Sequence, residues 1–555
     1  MNTRHFSIWP KNLPRSIVRP VTPVHHNFAV SARRYPEAVL CRFYDSPLTY
    51  GEAWRQVRLL AGFLQQRCGV RRGDRVLLAM QNSPQFILAY YAILRADAVV
   101  VPVNPMNLTE ELRHYATDSG ARVAFAGQEL HARLAPLLGE GALERLVLAA
   151  YSDYLEGGTD LPLPEACAAP RARLHDAGIT LWADALAAGL APAPTEAGPQ
   201  DLCVMPYTSG TTGMPKGCAH THASVMATLL AGALWFRTIP GGCLLSTLPL
   251  FHVTGMQGCM NGSIWNGATL VMMQRWDRDT AARLIQRYRP ASWTNIATMA
   301  IDFLAHPRLG DYDISSLDRI GGGGAAMPEA VAQRLRHLTG LTYMEGYGLS
   351  ETMGATHINP PEQPRPQCLG IPIFDVDARV VDPDTLAELA PGETGEIVVS
   401  GPQVMRGYWQ RPEADGAAFF QRDGRRFLRT GDLGRMDELG YFFLTDRLKR
   451  MINAAGFKVW PAEVEALLYR HPAVQEACVI AAPDSRTGET VKALIVLKPG
   501  HQHQTQAHHI TAWAREHMAA YKVPRQVEFV GSLPKSATGK VQWRALQEQE
   551  FAARP

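Results

Sequence analysis

The segment "PYTSGTTGMPKG" at residues 206–217 carries groups that can hold a phosphate. Its glycines let backbone N–H groups turn toward an anion, and its hydroxyls and lysine add donors and a positive charge. The candidate ligands are Thr208, Ser209, Gly210, Thr211, Thr212, Gly213 and Lys216. The pattern G-x-x-x-x-G-K-[ST] fails, because Pro215 precedes Lys216 and Gly217 follows it. The segment therefore predicts a different kind of phosphate loop, with a polar turn as the alternative.

The elements that position this loop alternate between helix-like and strand-like patterns. The run "LTYGEAWRQVRLLAGFLQQR" has apolar residues at helical spacing, "GDRVLLAM" reads as a buried strand, and "SPQFILAYYAILRA" reads as a helix capped by Ser83. The same rhythm returns in "GATLVMMQRW", "DTAARLIQRY" and "ASWTNI". This order predicts a large α/β body whose sheets are flanked by helices.

The pattern changes after residue 370. Two strand-like runs in "DARVVDPDTLAELAPGETGEIVVSGP" predict a small β subdomain. The last hundred residues read as helix, strand, strand, helix and strand, which predicts a small α+β unit. We expect an N-terminal domain over residues 1–446 and a mobile C-terminal domain over residues 447–555, joined by a hinge in "TDRLKRM".

Composition excludes several classes of protein. A net charge of +3 over 555 residues gives no argument for a nucleic-acid partner, since proteins that bind nucleic acid show concentrated basic stripes. Nine cysteines without a C-x-x-C pair indicate neither a zinc site nor a disulfide framework, and they fit the reducing cytoplasm. The most apolar stretch is interrupted by Arg95 and Asp97, so no integral membrane segment is expected. Peripheral membrane attachment and homodimer formation stay open.

Six segments occur in a fixed order between residues 207 and 540: "YTSGTTGMPKG", "PLFHVTG", "YGLSET", "FLRTGD", "DRLKRMINAAGFKVWPAEVE" and "LPKSATGK". They resemble the signature segments of the adenylate-forming superfamily, which includes acyl-CoA synthetases, luciferases and peptide-synthetase adenylation domains. The similarity is greatest to bacterial fatty-acyl-CoA ligases and extends from about Leu48 to Lys540. It implies an ATP-dependent acid–thiol ligase. A carboxylate attacks ATP to give an acyl-adenylate and pyrophosphate, and the thiol of coenzyme A then displaces AMP.

The resemblance assigns roles to charged residues. Adenylation brings a carboxylate toward the polyanionic ATP, so cations must offset the repulsion. Lys540 is the implied bridge between the substrate carboxylate and the α-phosphate, while Lys216 is implied to support the departing pyrophosphate. Glu351 is the implied magnesium ligand, since this hard cation prefers carboxylate oxygen. Thr352 is implied to hydrogen-bond the α-phosphate.

The nucleoside is assigned to two segments. Tyr347, which stands between Gly346 and Gly348 in the sequence, is implied to stack on adenine. Gly348 would leave the face of the tyrosine ring open. Glu345 stands where many relatives carry an amide, which puts its contact with adenine in doubt. Asp432 suits the ribose diol, because a carboxylate accepts two hydrogen bonds. Arg447 adds a ribose or phosphate contact in one interpretation and a structural salt bridge in the other.

The acyl site and the second step follow from the same resemblance. The implied acyl pocket is lined by His252, which we also count as catalytic, and by Gly322, Gly323, Gly324 and Ala325. Side chains are almost absent from this wall, which leaves room for an apolar acid. A medium- or long-chain acid is favoured over an aryl or short-chain acid. Lys449 takes the family's hinge position, and Gly456 lies where the thiol arm of coenzyme A passes during thiolation.

Three other functions are alternatives. A ligase that loads a carrier protein would share the first step, but free coenzyme A is the simpler acceptor because only fifteen residues follow Lys540. An oxygenase of the luciferase type would be recognised by light emission. A non-catalytic binding protein would not need Glu351, Asp432 and Lys540 together. The sequence therefore favours an acyl-CoA synthetase.

Overall fold

The structure is a computed structural model, and it describes residues 3–174, 176–208, 214–324, 327–454, 457–484, 488–502, 504–536 and 540–552. The strands that precede residue 222 are β1 (Val39–Phe43), β2 (Ser46–Thr49), β3 (Arg75–Ala79), β4 (Val99–Pro102), β5 (Val123–Gly127), β6 (Arg145–Ala149), β7 (Ile179–Leu181), β8 (Leu202–Val204), β9 (Tyr207–Thr208) and β10 (Lys216–Thr221). The strands of the central region are β11 (Cys243–Ser246), β12 (Thr269–Met272), β13 (Ser292–Asn295), β14 (Arg319–Gly323), β15 (Met344–Leu349), β16 (Gly354–Ile358) and β17 (Ile371–Pro372). The strands that follow are β18 (Asp377–Val381), β19 (Gly395–Ser400), β20 (Gly407–Tyr408), β21 (Phe419–Arg422), β22 (Arg425–Met436), β23 (Phe442–Arg447), β24 (Ile452–Ala454), β25 (Phe457–Val459), β26 (Val474–Asp484), β27 (Gly488–Leu497) and β28 (Gln526–Phe529).

Helices alternate with these strands. The α-helices of the first half are α1 (His25–Arg34), α2 (Tyr50–Gln66), α3 (Pro84–Arg95), α4 (Thr109–Ser119), α5 (His131–Gly139), α6 (Glu165–Ala168), α7 (Trp182–Ala187) and α8 (His222–Phe236). Those of the second half are α9 (Gly262–Asn266), α10 (Arg278–Tyr288), α11 (Ala297–Leu304), α12 (Glu329–Thr339), α13 (Pro412–Ala418), α14 (Pro461–Leu468), α15 (Ala507–His517) and α16 (Trp543–Ala552). A π-helix over Gly255–Asn261 precedes α9.

Helix α3 shows how local sequence determines an element. The hydroxyl of Ser83 accepts a hydrogen bond from the N–H of Phe86 at 3.2 Å, and Pro84 occupies the first helical turn. These are the capping residue and the helix-starting proline that such a terminus favours. Every residue from Pro84 to Leu94 is buried, and one core cluster joins the helix to apolar residues of β1, β3, β4, β11 and β12. The predicted cap and helix are confirmed.

Two large sheets are built largely from parallel strands. The first has the order β17-β16-β15-β14-β13-β11-β12-β1-β2, and the second has the order β20-β10-β8-β4-β3-β5-β6-β7 with β9 beside β10. In β3, Val76 and Leu78 join one core cluster while Leu77 and Ala79 join another. A strand buried on both faces reads as a continuous apolar run, as β3 does.

Two smaller sheets complete the fold. One has the order β18-β19-β22-β21 with β23 beside β22, and it corresponds to the predicted β subdomain. The other has the order β25-β24-β27-β26 with β28 beside β27, and α14 and α15 accompany it. Its apolar residues, including Ile452, Val479, Ile495 and Ile510, form a cluster of their own. The predicted large α/β domain with a small α+β domain is confirmed.

No helix within the described ranges of the chain is both long enough and apolar enough to span a bilayer.

Candidate functional site

A cavity of about 1140 Å³ extends along β14 and β15 to their carboxyl ends. Residues of β22 and β23 line it from the side, and Lys540 and α16 line it from the C-terminal unit. Ligands of open α/β sheets bind outside the carboxyl ends of the strands, which is where this cavity is. A typical ligand pocket measures roughly 300–1,000 Å³, so the space is sufficient for more than one substrate.

The predicted phosphate loop connects two paired strands. Strands β9 and β10 run antiparallel, with Thr208 opposite Lys216, and both residues line the cavity. The ammonium group of Lys216 lies 5.3 Å from the ring centre of Tyr408. The strand pairing therefore brings the two ends of the loop together at the cavity wall. The predicted ligands Ser209, Gly210, Thr211, Thr212 and Gly213 lie outside the described residues.

Lys540 enters the cavity beside the predicted acyl wall. A Cβ built on Gly324 would lie 3.2 Å from Cε of Lys540 and 3.6 Å from its ammonium nitrogen. Burial lowers the pKa of Lys540, and the positive charge of Arg447 lowers it further, while Asp432 and Glu351 oppose the shift. The C-terminal segment therefore places a desolvated cation at the end of β14.

His252 lines the same cavity. Burial lowers its pKa to about 3, and the charge of Lys540 acts in the same direction. Its Nδ1 accepts a hydrogen bond from the N–H of Thr254 at 3.4 Å. A neutral imidazole whose Nδ1 is an acceptor carries its proton on Nε2. His252 can thus donate one hydrogen bond without adding charge near the cation of Lys540.

Asp432 is the centre of a hydrogen-bonded group in the cavity lining. Tyr347 donates its hydroxyl to Oδ2 of Asp432 at 2.7 Å, and Arg447 donates Nε to Oδ1 at 2.9 Å. Asp432 and Arg447 are directly paired across β22 and β23, and Tyr347 projects from β15. All three line the cavity. Each carboxylate oxygen has a second lone pair, so the group can still accept hydroxyl donors from a sugar.

Glu351 and Tyr408 form a second pair, beside Lys216. The hydroxyl of Tyr408 donates to Oε1 of Glu351 at 2.9 Å, and both residues line the cavity. Strand β20 pairs with β10, with Tyr408 opposite Cys218, which places the tyrosine ring beside Lys216. The sequence interpretation missed Tyr408. The dipeptide that contains it, in "MRGYW", has no spacing that marks it as a site residue.

Glu351 is the carboxylate of the cavity lining to which the sequence assigns magnesium. Burial raises the pKa of Glu351, and the hydrogen bond from Tyr408 opposes that shift. Across the described ranges, no group of three or more His, Cys, Asp or Glu side chains could hold a metal ion. Magnesium in nucleotide sites is usually bound by one or two carboxylates together with phosphate oxygens and water. The donor set therefore fits magnesium that arrives with ATP.

Two residues that the sequence assigns to the nucleotide have side chains that are hydrogen-bonded to the protein backbone. Glu345 is buried, and its carboxylate oxygens accept the backbone N–H groups of Gln367 at 3.1 Å and Met327 at 3.5 Å. Burial raises its pKa to about 7, which these two bonds oppose. Thr352 is fully buried, and its hydroxyl donates to the carbonyl of Gly354 at 2.7 Å. The structure thus engages both side chains in backbone support; of the two, Glu345 lines the cavity.

The glycines of the site allow backbones to approach closely. A Cβ on Gly322 would lie 1.8 Å from the carbonyl oxygen of Asn295 on the next strand. A Cβ on Gly348 would lie 1.8 Å from the carbonyl oxygen of Gly354. Strand packing alone therefore requires these glycines, in addition to any need for open space beside a ligand. Gly323, Gly324 and Gly346 also line the cavity, and Ala325 lies outside the described residues.

The predicted hinge follows the last residue of β23. A 3₁₀ helix over Leu448–Arg450 contains Lys449 at its middle position. Arg450 donates to Glu465 at 2.5 Å and to the carbonyl of Val479 at 3.1 Å, so it is attached to the C-terminal unit. Arg447 belongs to the preceding sheet. The chain therefore passes from the β22 sheet to the C-terminal unit within three residues. The predicted thiolation residue Gly456 lies outside the described residues.

Family comparison covers most of the chain. Residues 28–409 match the family described as AMP-binding enzyme, and residues 463–540 match the AMP-binding enzyme C-terminal domain. A long-chain-fatty-acid–CoA ligase of Bacillus subtilis (strain 168) is 35% identical over 98% of this chain and 97% of its own length. A feruloyl-CoA synthase of Amycolatopsis sp. is 34% identical over 92% of this chain and 95% of its own length. The sequence-based resemblance to adenylate-forming acyl-CoA synthetases is confirmed.

Solved structures show the same fold. The crystal structure of an anthranilate CoA ligase in complex with anthranoyl-AMP has a TM-score of 0.84 and 26% sequence identity to this chain. It covers 98% of this chain and 99% of its own. Both the large and the small domain are therefore shared.

Proposed function

The chain belongs to the AMP-binding enzyme family, and we propose that this adenylate-forming acyl-CoA synthetase joins an apolar carboxylic acid to coenzyme A, with medium- to long-chain fatty acids as favoured substrates. In the first step the acid and ATP give the acyl-adenylate and pyrophosphate, and in the second the thiol of coenzyme A displaces AMP from the adenylate. The observation that carries the proposal is the position of Lys540. It projects from the C-terminal unit into the cavity, beside Gly324 and in the electrostatic range of His252.

Lys540 would lie where the first step concentrates negative charge. The attacking carboxylate and the α-phosphate repel each other, and a buried ammonium group between them stabilises the transition state more than it would in water. His252 stays neutral and can orient the carboxylate with the N–H of its ring. Lys216 and the loop after Thr208 would then hold the β- and γ-phosphates that leave as pyrophosphate.

The remaining nucleotide contacts are proposed from the same wall. Asp432 would accept hydroxyl groups of the ribose, and the ring of Tyr347 would lie against adenine. Glu351 would hold magnesium, which supplies charge neutralisation at the phosphates when it is bound. Thr352 and Glu345 support this wall through the backbone contacts described above.

Thiolation is assigned to a rearrangement of the C-terminal unit. We keep the division between residues 446 and 447 that the sequence suggests, one residue before the pairing of β23 with β22 ends at Arg447. Turning about Lys449 would withdraw Lys540 from the cavity and present the segment around Gly456 to coenzyme A. The dispersed thiols of the chain favour a reducing compartment, so we place the reaction in the cytoplasm.

The acyl chain would occupy the part of the cavity away from Asp432. This arm lies along α8 and the π-helix and is lined by Leu229, Gly232, Phe236, Leu244 and Gln257. Most of these groups are apolar, which suits a hydrocarbon chain. An aryl acid is the second candidate, because the feruloyl-CoA synthase has nearly the same sequence identity to this chain, 34%, as the fatty-acid ligase of Bacillus subtilis, 35%.

The test is a panel of acids supplied with ATP, magnesium and coenzyme A. We expect release of AMP and pyrophosphate, and formation of the acyl thioester, with saturated acids of eight or more carbons. Cinnamate and benzoate test the aryl alternative, and amino acids are the negative control. Turnover of amino acids alone would overturn the proposed substrate class. Adenylate formation without thioester formation would overturn coenzyme A as the acceptor.

A further inference from the structure

Arg319 lies at the floor of the proposed acyl arm. It begins β14, where it pairs with Ser292 of β13, and Ser292 in turn pairs with Leu244 of β11. All three residues line the cavity, so they form one row across the sheet. Gly323, near Lys540, is four residues further along β14. At about 3.3 Å per residue, the floor is roughly 13 Å from the reacting end.

The guanidinium of Arg319 is only partly satisfied by the protein. Nη1 donates to the carbonyl of Phe236 at 2.9 Å, and the guanidinium carbon lies 4.8 Å from the centre of the Phe236 ring. Within the described part of the chain, no carboxylate forms an ion pair with Arg319. Burial lowers its pKa, and only the adjacent Asp318 opposes that shift. Four of its five N–H donors therefore have no protein acceptor described for them.

This environment discriminates between possible ends of an acyl chain. A methyl group in contact with the floor would remove water from the guanidinium without replacing its hydrogen bonds, which is unfavourable. An oxygen at the same place would accept a charge-assisted hydrogen bond, which is stronger than a neutral one. Ser292 beside it adds a hydroxyl to the same row.

We propose that Arg319 is a specificity-determining residue that selects acids with a hydrogen-bond acceptor, a hydroxyl or a carboxylate, at the end remote from the reacting carboxyl group. This inference rests on the proposed acyl-CoA synthetase function. An extended chain advances about 1.2 Å per bond, so a span of roughly 13 Å corresponds to about ten bonds. The favoured acids are therefore ω-hydroxy or ω-carboxy acids of about ten carbons.

The experiment compares decanoate, 10-hydroxydecanoate and decanedioate by kcat/KM for pyrophosphate release. The wild-type enzyme should prefer the oxygenated acids roughly tenfold or more, as expected for a hydrogen bond to a charged group. Arg319→Met should abolish the preference, and Arg319→Lys should retain part of it. The readout is the ratio between acids within one variant, so a general loss of activity does not affect it. Arg237→Met, at an exposed arginine outside the cavity lining, is the matched control and should keep the wild-type ratio.

A second measurement needs no variant. In the wild-type enzyme, the preference for a terminal hydroxyl should disappear with 6-hydroxyhexanoate against hexanoate, because the shorter chain does not reach Arg319. Equal turnover of decanoate and its oxygenated analogues, or a preference that Arg319→Met leaves unchanged, would overturn the role of Arg319 and leave the proposed synthetase function intact. No turnover of any of these acids would instead overturn the proposed synthetase function toward aliphatic acids.

Discussion

Asp432 and Arg447 form an ion pair across directly opposite positions of β22 and β23, with Nε 2.9 Å from Oδ1. The carboxylate side chain is almost fully buried, whereas the arginine side chain is about half exposed at 47%. Arg447 immediately precedes the 3₁₀ helix of the predicted hinge. The pair therefore couples the proposed ribose site to the start of the C-terminal unit.

Replacing Asp432 with Ala should weaken ATP binding. The change removes the proposed ribose acceptor and leaves both the Tyr347 hydroxyl and the Arg447 guanidinium without their partner. We expect the KM for ATP to rise at least tenfold and the KM for the acid to change little. The conservative control is Tyr347→Phe, which removes one donor and keeps the carboxylate. An equal rise in both KM values would show that Asp432 is merely structural.

Lys540→Ala should separate the two half-reactions. Adenylation should slow by roughly a hundredfold or more, in line with the loss of one preorganised electrostatic group. Thioester formation from supplied acyl-adenylate and coenzyme A should continue, since the pyrophosphate has already left. The control is Lys535→Ala, because Lys535 pairs with Glu476 at 2.8 Å within the C-terminal unit. Equal losses in both half-reactions for Lys540→Ala would contradict the assignment.

Lys216→Ala should slow adenylation less than Lys540→Ala does. Lys216 lies beside Tyr408 at the phosphate loop, where it would contact the leaving pyrophosphate and not the reacting carboxylate. A reduction of roughly tenfold is expected, measured by ATP–pyrophosphate exchange under the same conditions for both variants. If Lys216→Ala proved the more damaging change, the roles of the two lysines would be reversed.

Glu345 should make the stability of the enzyme depend on pH. Its pKa in the folded chain is about 7, above the ordinary value of 4.5, because burial disfavours the carboxylate. Between these two values the unfolded chain has released the proton that the folded chain keeps, so stability falls as pH rises toward 7. We expect the Tm of the wild-type protein to decline from pH 5 to pH 8 relative to Glu345→Gln. Parallel Tm profiles for the two proteins would exclude this contribution.

Gly232→Leu should shorten the acyl arm without weakening the fold. A Cβ on Gly232 would meet no atom within 4 Å, and the residue belongs to α8 and lines the cavity. Glycine is roughly 0.8–1 kcal/mol less favourable than alanine in a helix interior and leucine ranks close to alanine, so the Tm should not fall. Turnover of the longest acids should drop at least tenfold relative to hexanoate. Gly139→Leu in α5, also with open space around its Cβ but outside the cavity lining, should leave the chain-length profile unchanged.

Much of the fold could be predicted because its signals are local. The cap at Ser83, the helical spacing of α2, and the apolar runs of β3 and β27 depend on residues close together in the chain. The order of the six motifs was likewise sufficient to indicate the family. Thr208 and Lys216 could be placed at the same site because a short loop separates them.

Other relationships were decided only by tertiary packing. The sequence shows Tyr347, Asp432 and Arg447 in separate motifs, whereas the structure joins them through strand pairing and a hydrogen bond between residues 85 positions apart. The hydroxyl of Thr352 donates a hydrogen bond to the carbonyl of Gly354, two residues away, and a sequence motif cannot reveal this contact. Arg319 reaches the floor of the cavity because β11, β13 and β14 align in register. Sequence periodicity specifies which face a side chain takes on its own strand, but the neighbours it meets depend on how distant strands pair, and that pairing was settled by the packing of the whole chain.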